Sequence, residues 1–125
     1  MTDQDIEKEI RAKGKTAARV TTEAIEAEIS AENYFTAADG IAYQGNAPVY
    51  AAHLLLTFCV LVLRNGFTVT GESACASPEN FDAEIGKKIA RANAVAKIWP
   101  LLGFRLCDKL AEAVSADLFR PRLIE

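Results

Sequence analysis

Residues 54–75 read LLLTFCVLVLRNGFTVTGESAC, and the fold turns on whether the apolar half of this stretch is a strand or a helix. Its β-branched residues run into Asn65-Gly66, a pair that tolerates the left-handed backbone of a tight hairpin turn. With a two-residue turn, Arg64 faces Phe67, Val62 faces Val69 and Val60 faces Gly71. Phe67, Val69, Val60 and Val62 then share one face of the hairpin. Thr68, Thr70 and Glu72 lie on the other, across from Leu63, Leu61 and Cys59. The first strand is apolar on both faces, so it should be central or covered. The competing reading is a mostly α fold, with residues 48–64 helical from Pro48 and Asn65-Gly66 as the C-cap. Short apolar runs do not separate these two by periodicity alone.

The flanks are helical. Residues 1–19 form a charged N-terminal arm or helix, with Ile6 and Ile10 its one apolar pair at helical spacing. Thr21 or Thr22 can cap a short amphipathic helix over residues 22–32, in which Ile25 and Ile29 recur. The aromatic pair Tyr34-Phe35 should pack inward, and Asp39-Gly40 marks a turn. Gln44 to Pro48 reads as a loop. On the far side of the hairpin, Ser77-Pro78-Glu79 reads as a helix start: a serine cap, proline first, then an acid. Phe81, Ile85, Ile89, Ala92, Ala96 and Trp99 make the stripe of that long helix. Trp99-Pro100 breaks or kinks it, and Leu101 to Val114 support a further helix. The expectation is a single α+β domain over residues 20–116: N-terminal helices, a β-hairpin, a long helix and a C-terminal helix. Residues 117–125 form a tail.

The chain has 125 residues, half of them hydrophobic and a quarter charged, enough for a core without disulfide or metal. No segment reaches the ~18 apolar residues of a membrane helix. The charged N-terminus has no signal segment, so the expected setting is a cytoplasm. Three cysteines at irregular spacing fit reduced thiols. The net charge of −3 is uneven: residues 33–86 sum to −4 and residues 87–125 to +4. That balance argues against a dedicated DNA binder. It suits a solvated basic face, or self-association of the two halves.

Gly71-Glu72-Ser73-Ala74-Cys75 resembles the serine-hydrolase elbow G-x-S-x-G, but Cys75 stands where the second glycine belongs. The one histidine, His53, precedes the serine, against the order that elbow uses. Cys75 near a helix start could be an activated thiol, yet a small residue buried at a joint explains it as well. No metal-ligand spacing or nucleotide-binding glycine motif occurs, so no metal and no cofactor is expected. An anion-binding reading is left: free N–H groups at the helix start, hydroxyls from Thr70, Ser73 and Ser77, and charge from Lys87, Lys88 and Arg91. The competing explanation is a capped helix with a solvated basic edge.

The run NGFTVTGESACASPENFDAEIGKKIARANAVAKIWPLLGF, with ENYFTAADG and LLTFCVLVLRNG before it, resembles a family of small phage and prophage proteins labelled by phage gene numbers, the gene-49/gene-66 family. The resemblance covers residues 20 to 110. It implies a phage or prophage protein in the host bacterial cytoplasm, and it carries over no catalytic residue. The family motif ends W-P-L-E-G-Y, where this chain has Trp99-Pro100-Leu101-Leu102-Gly103-Phe104.

The functional expectation is a non-enzymatic accessory protein that acts by binding. It would counter host defence by sequestering a nucleotide-type signal or by blocking a host protein. The alternatives are a minor structural or assembly component of the phage, or an enzyme using Cys75 or Ser73. The apolar hairpin faces point to a homo-oligomer.

Overall fold

Asn65-Gly66 does turn the chain, but in a loop of three residues rather than two. In the computed structural model, which describes residues 2–15 and 17–113, the Leu63 N–H donates to the Phe67 carbonyl at 2.8 Å. The Gly66 N–H donates to the Leu63 carbonyl at 2.9 Å. Gly66 takes φ of +87°, the left-handed residue that closes such loops. Asn65 Oδ1 holds the Phe67 N–H at 3.0 Å. The extra residue shifts the register by one, so Leu61 pairs with Val69 and Val62 with Thr68. Because side chains alternate, that slip moves Val69 from the face of Val60 and Val62 to that of Leu61, and Thr68 and Thr70 the other way. Cys59, Leu61, Leu63 and Val69 form the buried face. Val60 and Val62 lie on the opposite face, in the rungs of Thr70 and Thr68.

The strands are β2 (Leu56–Leu63) and β3 (Thr68–Ala74), with a third, β1 (Ile29–Thr36), in the antiparallel order β1-β2-β3. Strand β2 is central, as its apolar content on both faces requires, and residues 56–63 are not helical. Strand β1 replaces the second half of the helix expected over residues 22–32. Its sequence, ISAENYFT, is poor in strand formers and is held by pairing to β2. Ser30 is the extra residue of a bulge, and its hydroxyl donates to the Val62 carbonyl at 3.0 Å.

Five of the helices are α1 (Asp3–Ala12), α2 (Thr22–Glu28), α3 (Ala37–Gln44), α4 (Ala51–Leu54) and α5 (Ala83–Ala96). The last is α6 (Ile98–Ala113). A Thr2/Asp5 capping box starts α1, and the Ala24 N–H donates to Thr21 Oγ1 at the start of α2. Asp39 is no turn residue; it completes a capping box with Thr36 and begins α3. Pro78–Asn80 is a single 3-10 turn, so the long helix starts five residues later than Ser77-Pro78 suggests. Its true cap is Asp82, which accepts from the N–H groups of Glu84 and Ile85. Lys97 interrupts the helix, and Trp99-Pro100 sits in the first turn of α6, where proline costs no hydrogen bond.

The buried side of α5 is Gly86, Ala90 and Ala94, not the stripe of large residues. Ile85 and Ile89 are 56% and 46% exposed. The cause lies across the contact: a Cβ on Gly71 would stand 2.2 Å from the Ala90 carbonyl oxygen and 2.3 Å from the Ala94 nitrogen. The helix backbone rests directly on β3, and only small residues allow that approach.

The described residues fall into two compact units, one of residues from 2–25 and 99–113, the other Glu26–Ile98. The division passes through α2 and the start of α6. The second unit holds the sheet, α3, α4 and α5. In the first, Glu7 on α1 is buried and takes both guanidinium nitrogens of Arg19, at 2.6 and 3.0 Å. Trp99 Nε1 donates to Asp3 at 3.2 Å. Val114 and the tail over 117–125 lie outside the described residues.

Candidate functional site

The six residues of the anion-binding reading fall in different places. Thr70 is exposed on the outer face of the sheet. Ser73 is on the face toward α5, beside Thr57. It shares a shallow recess of about 140 Å³ with Cys75, Asn80, Phe81 and Asp82. Ser77 is half-buried, and its carbonyl accepts from the Cys75 thiol at 3.1 Å. Lys88 is exposed. The N–H groups that open α5 are taken by Asp82, a carboxylate, which leaves that end unsuited to a second anion.

Arg91 is committed within the fold. It grips Glu26 of α2 with two nitrogens, at 3.1 and 2.7 Å, and Glu32 of β1 with its Nε at 3.1 Å. Glu32 in turn accepts from the Tyr34 hydroxyl at 2.6 Å. The Tyr34 bond, then the bond and charge of Arg91, hold the Glu32 carboxyl below the usual glutamate range, against some desolvation. Burial first, then the bond to Glu32, raises the Tyr34 phenol well above its ordinary value. Burial does the same to the Cys59 thiol. These are groups fixed in one protonation state at neutral pH, suited to structure rather than to proton transfer.

Lys87 is differently placed. Its ammonium lies 6.0 Å above the Tyr34 ring, with only a long 3.9 Å contact to Glu84. It lines a recess of about 170 Å³ with Tyr34, Thr36, Asp39, Thr57 and Phe81. The recess is built where β1 and β2 meet the first turns of α3 and α5. Thr36 and Thr57 form one rung of the sheet there. Asp39 is present because it caps α3, with one oxygen on the Thr36 N–H at 2.8 Å. Thr57 is only 3% exposed. Two aromatic rings, one ammonium, one carboxylate and two hydroxyls therefore converge on a space the size of a single ring. Tyr34, Thr36, Asp39, Thr57 and Phe81 were not among the sequence candidates. The β1 strand that aligns two of them, Tyr34 and Thr36, has no signal of its own.

A second, more apolar cleft of about 290 Å³ lies in the other unit, lined by Ile6, Ile10, Val20 and Trp99 together with Asp3 and Glu7. The only histidine has its Nδ1 occupied by the Tyr50 N–H at 2.9 Å. Cys59, Cys75 and Cys107 are free thiols. Among the described residues no group of three side chains could hold a metal ion. No helix among them is long and apolar enough to cross a membrane.

The fold is thus a small three-stranded sheet backed by one close-packed helix, with its polar recess at the end of the sheet. Residues 20–110 match the model of the phage protein family described as N4 Gp49/phage Sf6 gene 66, and the chain belongs to that family. No curated protein and no solved structure matches it.

Proposed function

We propose that this phage-family protein works in the host bacterial cytoplasm by binding rather than by catalysis, sequestering a small nucleotide-type ligand. What supports this reading is the recess at the Thr36–Thr57 rung. Its volume of about 170 Å³ suits one planar ring. A nucleobase carries donors and acceptors on its edge, and the recess offers both: Asp39 accepts, Lys87 donates, and the hydroxyls do either. Tyr34 and Phe81 supply aromatic surface for stacking. Lys87, at the rim and 46% exposed, can also meet a phosphate. A site that buries a ring and leaves the charged part outside is consistent with the acidic character of residues 33–86.

The reading is tested by thermal shift with linear and cyclic nucleotides. A ligand at a hundred times its Kd adds about 2.7 kcal/mol of stability. The expected result is a rise in Tm that Lys87→Ala reduces and Thr57→Val removes. A flat response across the panel overturns it.

A second reading, blocking a host protein, is favoured by a different observation. On the sheet face away from α5, Leu56, Phe58, Val60 and Val62 are only half-buried, and Phe35 is 40% exposed beside Phe58, with ring centroids 5.5 Å apart. A contiguous apolar strip of this kind marks protein contacts. Capture of a host protein that Phe58→Glu abolishes would establish this use of the face.

A further inference from the structure

Between Gly40 and Leu63 the chain has no aspartate, glutamate, lysine or arginine. The second half of that span is the buried central strand, where the absence of charge is ordinary. The first half is not buried. It is the elbow made by the end of α3, the loop after Gln44, and α4. It exposes Tyr43 at 94%, Tyr50 at 63%, Leu54 at 55% and Val49 at 45%. The exposed α1, by contrast, is dense in charge. Loss of charge together with exposed tyrosine is the composition of an interface centre.

We propose that this elbow is the contact through which two copies of the chain associate. Two arguments select a second copy as the occupant. The first is electrostatic. A twofold contact lays a surface on itself, so any charge it carries meets a like charge. In a chain of net charge −3, a neutral elbow is the surface that escapes this penalty. A charged partner would gain nothing from it. The second is area. The two tyrosines alone offer ~150–250 Å² each, and with Val49 and Leu54 the four residues present on the order of 500 Å² per copy. A pair buries about 1,000 Å² from these side chains alone, the least that a specific contact needs. The neighbouring Ala51 and Ala52, also exposed, extend it.

The inference is independent of the ligand reading, because the elbow includes none of Thr36, Thr57, Phe81 or Lys87. Sedimentation velocity on the full chain, from one to one hundred micromolar, tests it. The expected result is a species of about twice the 13.5 kDa chain mass, with a Tm that rises with concentration. Tyr43→Glu and Tyr50→Glu should return the chain mass. Their circular dichroism should be unchanged, since such exposed positions carry little of the fold. A wild-type protein that stays at the chain mass throughout overturns the proposal. So does a dimer that survives both substitutions, or one that only Phe58→Glu on the sheet face disperses.

Discussion

Gly71 has no side chain, and α5 uses the space. The nearest backbone atoms of that helix stand 2.2 and 2.3 Å from where a Cβ would be, and backbone does not step aside as a side-chain end can. Gly71→Ala should therefore cost about 2–3 kcal/mol, at the upper end of overpacking effects. Urea unfolding will show it as a lower midpoint with an unchanged slope. The Glu32–Tyr34–Arg91 cluster gives a second residue-level expectation. The Glu32 carboxyl is held low in the folded state, chiefly by the Tyr34 hydroxyl. A depressed folded value stabilises above the unfolded pKa of ~4.3, and that share is lost as pH falls through the lower folded value. Melts at pH 7 and pH 3 should thus differ less for Tyr34→Phe than for the wild type. Equal differences would mean that the bond is not what holds the carboxyl low.

At the scale of elements, the hairpin and the long helix were legible in the sequence, and their details were not. Asn65-Gly66 announces a turn, but the same pair serves a two-residue loop and a three-residue loop with Gly66 left-handed. The choice moves every face by one position. Periodicity could not decide it, because β2 is apolar on both sides. The helix stripe misled for a related reason. Ile85 and Ile89 have the spacing of a core face, yet the sheet at Gly71 has no side chain to meet them, and Ala90 and Ala94 take the contact. Strand β1 was illegible because its strand state comes from pairing, not from its own residues. That loss hid the recess, since Tyr34 and Thr36 reach it only from a strand. The start of α5 makes a direct test. Asp82 accepts from two backbone N–H groups, so Asp82→Ala should lower stability by about 1 kcal/mol, while Asp82→Asn costs far less. A null effect of the alanine would put the helix start back at Ser77-Pro78.

At the scale of the whole molecule, the family membership was readable from the run between Asn65 and Phe104 with the two segments before it, and the α+β fold from the hairpin over residues 54–75 with its helical flanks. The candidate site was readable only in part. Lys87 remains in it; Thr70 and Ser73 are on opposite faces of the sheet, and Arg91 is spent on two glutamates. Recognition of a ligand would rest on a rung of the sheet and two helix starts, with Lys87 as the one cation lining that recess. NMR titration of the isotope-labelled protein with nucleotides examines that claim atom by atom. Binding at the recess predicts amide shifts concentrated at Thr36, Asp39, Thr57 and Phe81, and at the Lys87 side chain, with Thr70 and Lys88 unmoved. Shifts centred on Ser73 to Asp82, or in the cleft between Ile6 and Trp99, or none at all, would contradict it.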